Sequence, residues 1–479
     1  MANTNTTYEK LKSLMLAQSA KMRELNRVIP VSGTRYDLPL DGREINIVYF
    51  KADKKNAPLV LGFHGGGFLF GGNALNDAMW SAVRDTLGVN VASIDYRKSP
   101  DHSSTDAIMD GYDAAVYLKA HAEEFGFDPD QISVMGASAG ANLAAGLCIY
   151  AGQNNPGLIL NQILIYPLVD NVTPNEEKKD GHLSAPPDQI FRDLHCTNEQ
   201  AKTSIVSPIF ASDAELAVLP NTVICTADID SLKDEGLRYA DRLKENGVPT
   251  SLMICAGMPH IFFEVGFGEI SEEELRSYSP ELQELVKNGE AHRASVEALE
   301  FAAKHFRKLE KIILVDLNDQ EIGGEEKLRT HEKSLLHRAF SVFIVNGDQM
   351  LIQKRSLTKY HSGGLWANAC CSHPRVGETL EEAVHRRLPE EAGFDCPLKE
   401  VFSFTYRTTF SNGLTEYEYD HVFLGEYCGE VNMNPEEASE CRWISFADLK
   451  KEMLETPERF CSWFMIAAPK VMQIVEGNR

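Results

Sequence analysis

The sequence predicts an α/β domain built on a mostly parallel sheet, followed by an α+β domain. Three observations predict it. From Ile45 to about residue 260, short apolar runs alternate with helix-like or loop-like stretches, the rhythm of strand, crossover and parallel strand. That rhythm stops near residue 310, where Phe306-Arg307-Lys308-Leu309-Glu310-Lys311 meets a new apolar run, Ile312-Ile313-Leu314-Val315. Beyond it, alternating or apolar strand patterns surround one helix. A length of 479 residues suits roughly two to four domains; domains are expected over 1–310 and 311–479.

The elements follow in order. The chain begins with an amphipathic helix carrying Leu11, Leu14, Met15, Leu16, Met22 and Leu25. Strands are expected at 59–63, 89–94, 132–135, 160–166, 223–226 and 251–255, each a short apolar run bounded by other residues. Residues 170–215 break the pattern. They are polar, contain Pro174, Pro186 and Pro187, and read as an irregular cap over a site. Residues 264–308 are helical in pattern. In the C-terminal part, strands are expected at 340–345, 350–354, 401–407 and 416–423, a helix at 379–391, and a last helix containing Trp463. Pro389 lies inside the 379–391 helix, where a proline costs about 3 kcal/mol, so that helix is expected to be distorted. No Gly/Ser linker separates the two parts and no internal repeat is visible.

Composition narrows the function. The net charge of −23 disfavours unspecific nucleic-acid binding and anionic membranes, because both repel an acidic surface. It leaves small anionic substrates open, since these answer to local fields. No apolar run approaches bilayer length, and the N-terminus lacks the pattern of a secretory signal. Ten cysteines show no regular framework. A cytoplasmic protein with free thiols is expected, the alternative for Cys370 and Cys371 being a vicinal disulfide.

Two constellations carry chemistry. In the last third stand His331, His337, Cys371-Ser372-His373 and Glu416-Tyr417-Glu418. Three imidazoles and two carboxylates are a full ligand set for one divalent cation. Residues two apart share a face of a strand, so Cys371 accompanies His373, Glu416 accompanies Glu418, and Tyr417 faces away. A cation, a thiol and a metal-held carboxylate around one cavity point to proton transfer. In the first part, His64-Gly65-Gly66-Gly67 precedes Gly136-Ala137-Ser138-Ala139-Gly140, and Asp230 and His260 follow. That is the chain order Ser, Asp, His of a serine hydrolase. Gly136 and Gly140 would let strand and helix approach around Ser138. The amides of Gly65, Gly66 and Ala139 would form the oxyanion hole, His260 would be the base, and Asp230 would orient it. His64 is expected only to brace its loop.

These motifs resemble two known families. HGGGF, GASAGAN, Asp230-Ser231-Leu232-Lys233-Asp234-Glu235-Gly236 and Gly257-Met258-Pro259-His260-Ile261-Phe262 resemble the hormone-sensitive-lipase family of α/β-hydrolases, over about residues 40–305. The resemblance implies the α/β-hydrolase fold with a cap, and carboxylesterase activity on an unidentified small ester. In that family the acid precedes Pro-Leu. Here Ser231 follows Asp230, which leaves Asp228 and Asp234 as alternatives.

Residues 312–475 resemble type I isopentenyl-diphosphate isomerase, a Nudix-like α+β fold. The resemblance rests on Leu336-His337-Arg338-Ala339-Phe340-Ser341-Val342-Phe343, on Asn368-Ala369-Cys370-Cys371-Ser372-His373-Pro374 and on Thr415-Glu416-Tyr417-Glu418-Tyr419-Asp420-His421. It implies interconversion of isopentenyl and dimethylallyl diphosphate, with Cys371 and Glu418 as the facing acid–base groups. It implies one divalent metal, Mn2+, Mg2+ or Zn2+, on His331, His337, His373, Glu416 and Glu418. It implies a second cation, Mg2+, held between Glu391 and the diphosphate. Lys327, Arg355, Lys359 and Arg387 match phosphate-side residues. Tyr406 matches a tyrosine beside the glutamate, and Trp463 an aromatic facing the cationic centre.

Two alternatives stand beside this reading. A Nudix pyrophosphohydrolase needs G-x5-E-x7-R-E-U-x-E-E-x-G-U. Counting from Gly377, Ala383 takes the first glutamate position, and Arg386-Arg387 stand too early for Arg-Glu, although Glu390 and Glu391 survive. The other alternative is a non-catalytic hydrolase-like module, which should lack a triad member; none is missing.

Overall fold

The computed structural model describes residues 2–173, 186–268, 270, 272–359 and 361–477. The chain divides into two compact units, Met1–Lys308 and Leu309–Arg479.

In the first unit, eight strands among the described residues form one sheet. They are β1 (Thr34–Leu40), β2 (Arg43–Phe50), β3 (Ala57–Phe63), β4 (Asn90–Ile94), β5 (Phe127–Ala137), β6 (Asn161–Ile165), β7 (Asn221–Ile229) and β8 (Thr250–Pro259). Their order is β1-β2-β4-β3-β5-β6-β7-β8. β1 pairs antiparallel with β2 and β2 with β4; from β4 onward every pairing is parallel. Strands β3, β4 and β6 are buried along their whole length. Helices cover both faces of a parallel sheet, which is why these strands are continuous apolar runs. Leu59, Leu61, Val134 and Leu164 pack on one face with the helices Ser104–Ala120 and Ala139–Asn154. Val60, Met135, Ile163 and Val223 pack on the other with Asp77–Leu87 and Glu290–His305.

The expected cap is only partly irregular. Pro174 and the rest of 174–185 lie outside the described residues. Pro186–His195 is a helix, and the first helix, Ala2–Val28, packs against it. Met15, Leu69 and Ile190 form their shared core, Tyr8 donates to Asp193 (2.6 Å), and Ser19 donates to the carbonyl of Leu69 (2.6 Å). The N-terminal helix thus reaches the loop that follows His64-Gly65-Gly66-Gly67.

The second unit centres on β11. Its strands are β9 (Lys311–Val315), β10 (Glu321–Glu326), β11 (His337–Asn346), β12 (Gln349–Arg355), β13 (Trp366–Asn368), β14 (Cys370–Ser372), β15 (Leu398–Thr409), β16 (Thr415–Glu426) and β17 (Ala438–Ser445). β11 pairs antiparallel with β9, β12 and β14 and parallel with β16. This register sets His337 opposite Glu418 and Ser341 opposite Cys371. The helix Leu380–Ala392 covers one face against Phe340, Val342 and Ile344. The helices Phe446–Glu455 and Ser462–Gly477 cover the other against Phe343 and Val345.

The distortion expected at Pro389 does not break the helix. The helix Leu380–Ala392 runs through it unbroken. Pro389 sits in the last turn with its ring exposed, and the acceptor it leaves without a donor is the carbonyl of His385, one turn back. Among the described residues, no helix is long and apolar enough to cross a membrane.

Candidate active sites

Ser138 sits on the bend between β5 and the helix Ala139–Asn154, with φ 54° and ψ −119°. A non-glycine residue reaches positive φ only when its surroundings force it. Here they do. A Cβ on Gly136 would lie 2.2 Å from the carbonyl oxygen of Gly140, and one on Gly140 would lie 2.1 Å from that of Phe63. Both glycines are therefore sterically required.

The bend aims Ser138 at a histidine. His260 Nε2 lies 2.9 Å from Ser138 Oγ, and His260 Nδ1 lies 2.7 Å from Asp230 Oδ2. Asp230 is buried, and its Oδ1 accepts from the amide of Leu232 (3.0 Å). Of the three acids left open, Asp230 is the one at the imidazole. Asp228 pairs with Lys233 (2.9 Å) and accepts from the Gly257 amide, and Asp234 lies in the first turn of the helix Lys233–Glu245.

The cavity beside Ser138 measures about 250 Å3. Gly66, Gly67 and Ala139 line it, and Gly65 does not. Gly65 stands behind, where an added Cβ would come within 2.6 Å of Glu264 Oε1. The backbone turns at Gly66 (φ +117°), so the loop presents Gly66 and Gly67 in place of the expected Gly65 and Gly66. His64 is buried, stacks on Tyr96 and donates from Nδ1 to the carbonyl of Gly65 (2.7 Å). Burial pushes its pKa down to about 3, so it braces the loop as a neutral ring. Sequence reading missed Glu264, a half-buried residue whose carboxyl is hydrogen-bonded to Tyr166 and pushed up to about 8 by desolvation.

The second cavity measures about 70 Å3. It brings together Cys371, Glu418, Glu416, His373, Tyr406, Trp463, Lys327, Arg355, Lys359, Arg387 and Glu391. His331 and His337 lie beneath it, fully buried.

One donor atom each from His331, His337, His373 and Glu418 lies within 4.8 Å of the others, as do those of His331, His361 and Glu416. His331 Nδ1 donates to the carbonyl of Lys327 (2.5 Å) and His337 Nδ1 to that of Leu335 (2.8 Å). These bonds fix the tautomers, so each Nε2 carries the lone pair. His337 Nε2 then faces Glu418 Oε1 at 3.6 Å, an acceptor against an acceptor. A cation between them reconciles that geometry, and the donor set suits a divalent metal. Glu418 Oε1 also lies 2.9 Å from His373 Nε2.

The remaining groups stay protonated. Burial pushes the Cys371 thiol well up, against the pull of Arg355, whose Nη1 lies 3.5 Å from Sγ. Burial, then Glu416 and Glu418, push the Tyr406 phenol well up; its hydroxyl lies 2.7 Å from Glu416 Oε2 and 2.6 Å from Glu418 Oε2. Trp463 Nε1 donates to Asn368 Oδ1 (3.1 Å), and the Arg355 guanidinium lies 5.3 Å from its ring centre.

In the same cavity, Arg387 Nη2 pairs with Glu391 Oε1 (2.5 Å) and Glu437 Oε1 (3.1 Å), and Lys359 also pairs with Glu437. Arg355 Nε and Arg387 Nε are buried donors without an acceptor among the described residues. Such donors suit an incoming polyanion.

Sequence reading missed His361 and Glu437. His361 Nε2 lies 2.9 Å from Glu416 Oε1, and its ring stacks on Phe410. The available signal was a histidine two residues after Lys359, in a loop closed by Gly363 and Gly364.

Comparison with known proteins agrees with this division. A family model described as the alpha/beta hydrolase fold matches residues 60–264, and one described as the NUDIX domain matches residues 335–464. Isopentenyl-diphosphate Delta-isomerase 2 of Photorhabdus laumondii is 51% identical over 156 residues, 32% of this chain and 88% of that protein. Isopentenyl-diphosphate Delta-isomerase 1 of Aromatoleum aromaticum is 44% identical over 171 residues, 36% of this chain and 97% of that protein. A solved alpha/beta hydrolase from the metagenome of Lake Arreo, Spain, is 26% identical with a TM-score of 0.50, covering 60% of this chain and 88% of that one.

The polypeptide is thus an α/β-hydrolase-fold unit fused to a Nudix-domain unit. Through the second unit, the chain belongs to the isopentenyl-diphosphate Delta-isomerase family.

Proposed function

We propose that the chain is bifunctional, with an isopentenyl-diphosphate isomerase over 311–479 and a serine carboxylesterase-like hydrolase over 1–310. The carrying observation for the isomerase is that Cys371, Glu418 and Tyr406 line one small cavity together with four phosphate-side cations.

The chemistry moves one proton in and one out. An isolated alkene is a very weak base, so an acid must be held against it in a dry site, and a second group must take a proton from the allylic position. Cys371 Sγ keeps its proton at neutral pH, because burial pushes the thiol up. In the same cavity the Tyr406 proton is poised between Glu416 and Glu418. Trp463 offers its face to the tertiary cation between the two steps, an attraction of about 2 kcal/mol in a desolvated site. Lys327, Arg355, Lys359 and Arg387 hold the diphosphate. His361 braces Glu416.

A divalent metal (Mn2+, Mg2+ or Zn2+) on His331, His337, His373, Glu416 and Glu418 would fix the Glu418 carboxylate and tune its acidity, and Mg2+ at Glu391 would neutralise the diphosphate. The ten free cysteines suit a reducing cytoplasm. The net charge of −23 suits small-molecule substrates and no nucleic-acid partner.

Isopentenyl diphosphate incubated in D2O with Mg2+ or Mn2+ tests the isomerase. Dimethylallyl diphosphate carrying deuterium is expected. Release of inorganic phosphate from a nucleoside diphosphate, without allylic shift, supports the pyrophosphohydrolase instead.

In the hydrolase, Ser138 Oγ attacks the ester carbonyl, His260 Nε2 takes its proton, Asp230 orients the imidazole, and the amides of Gly66, Gly67 and Ala139 receive the oxyanion. The Ser138–His260–Asp230 hydrogen-bond chain supports this reading. A fluorophosphonate should label Ser138; absence of labelling favours an inert module.

A further inference from the structure

Resting on Ser138 as a nucleophile, we propose that the hydrolase's substrate is an anionic ester. A short apolar spacer separates its negative group from the scissile carbonyl, and Arg192 binds that group. Hydrolysis breaks the acyl–oxygen bond and adds water across it, giving an acid and an alcohol.

The cavity at Ser138 is walled mainly by Phe68, Phe70, Leu168, Phe191, Leu232 and Ile261. Beyond the His260 pair, three side chains bring ionisable groups into it: Asp170, Arg192 and His195. Two are accounted for. Asp170 is buried; its Oδ1 accepts from the amides of Val172 (3.0 Å) and Thr173 (2.8 Å), and its Oδ2 lies 3.8 Å from Arg238. His195 is buried, stacks on Phe68 (4.2 Å) and is pushed down to about 4 by burial, so it is neutral.

Arg192 differs. It comes from the helix Pro186–His195, is half-buried, and makes no ion pair or hydrogen bond among the described residues. The next residue, Asp193, is engaged by Tyr8. An arginine beside apolar walls with no ion pair among the described residues keeps its charge available to an incoming anion. A carboxylate or phosphate on the substrate supplies the missing partner, in a charge-assisted and often bidentate contact.

The test compares esters of equal length that differ only in charge. On the acyl side these are mono-4-nitrophenyl glutarate and its methyl ester. On the alcohol side they are 4-acetoxybutanoate and its methyl ester. The full-length protein is expected to favour an anionic member by about tenfold or more in kcat/KM, chiefly through KM, with the preference shrinking as salt rises. The side on which it appears locates the anion. Arg192→Gln should bring the ratio close to one, and Arg192→Lys should keep part of it. Thermal unfolding of each variant excludes loss of fold as the cause. Equal turnover of charged and neutral esters by the parent protein, or an unchanged ratio in Arg192→Gln, overturns the proposal. Failure of a fluorophosphonate to label Ser138 overturns the nucleophile and this inference together, whereas labelling without an anion preference overturns the anion site alone.

Discussion

The cavity at Cys371 measures about 70 Å3 and is ringed by charges, whereas the one at Ser138 measures about 250 Å3 and is walled mostly by rings and aliphatic groups. The contrast follows from what each must stabilise. In the charged cavity, Lys359 and Arg387 are paired with Glu437 and Glu391 before any ligand arrives. On the proposed reading, a diphosphate bound there would exchange one set of anions for another at Lys359 and Arg387. In the apolar cavity the chemistry is stored in one strained residue and its hydrogen-bond chain, and the walls exclude water and shape the substrate, with Arg192 the one cation among them. Proton transfer to an alkene needs many balanced charges, while acyl transfer needs one aligned nucleophile.

Variants can break this comparison. The largest effect is expected for Ser138→Ala, which should lower ester turnover about a million-fold and leave isopentenyl diphosphate turnover untouched. Next, Glu418→Gln or Cys371→Ala should lower isomerase turnover by roughly 100- to 10,000-fold, the range for losing a positioned acid or base, without slowing the ester reaction. Loss of both activities from one of these changes would show that the sites are coupled. His361→Ala should weaken metal binding, read by calorimetry with Mn2+, by about 10- to 100-fold, because it frees Glu416 from the ring that holds it.

A further prediction concerns stability and sharpens the comparison through pH. Burial pushes the Glu264 carboxyl up to about 8, against about 4.3 in an unfolded chain. Between those values the folded protein binds one more proton than the unfolded chain. Stability from this group is therefore full below about pH 4.3 and falls by roughly 1.4 kcal/mol per pH unit as pH rises towards 8. Denaturant unfolding across pH 5–8 should show a flatter dependence in Glu264→Gln. An identical slope in both proteins contradicts the assignment.

How much was legible in the sequence follows the same division. The α/β fold with a mostly parallel sheet was readable because β3, β4 and β6 are buried on both faces and so are apolar throughout. The residues grouped around Ser138 and Cys371 were readable because they sit in compact motifs whose chemistry needs those side chains at those spacings. His361, Glu437 and Glu264 were not. Each reaches its partner through tertiary packing: His361 meets Glu416 across 55 positions of chain, a relation that no local period encodes. The same holds for the N-terminal helix. Its apolar face was visible, but nothing local says that it packs on the helix Pro186–His195. The shift from Gly65 to Gly67 at the cavity arose because a run of three glycines does not reveal where the loop turns; the turn at Gly66 decides it. At Pro389, propensity predicted a distortion, and the helix nevertheless runs unbroken through it, the proline ring lying exposed in the last turn.

The central claim is that one chain carries two sites, of which only the charged one depends on metal. The most direct measurement strips divalent metal from the full-length protein with a chelator and follows both reactions on one sample while Mn2+ or Mg2+ is titrated back. Isomerisation of isopentenyl diphosphate should vanish and return with the metal, while 4-nitrophenyl ester hydrolysis stays constant throughout. Isomerisation that survives complete removal of metal, or ester hydrolysis that falls and recovers in step with it, would contradict the account.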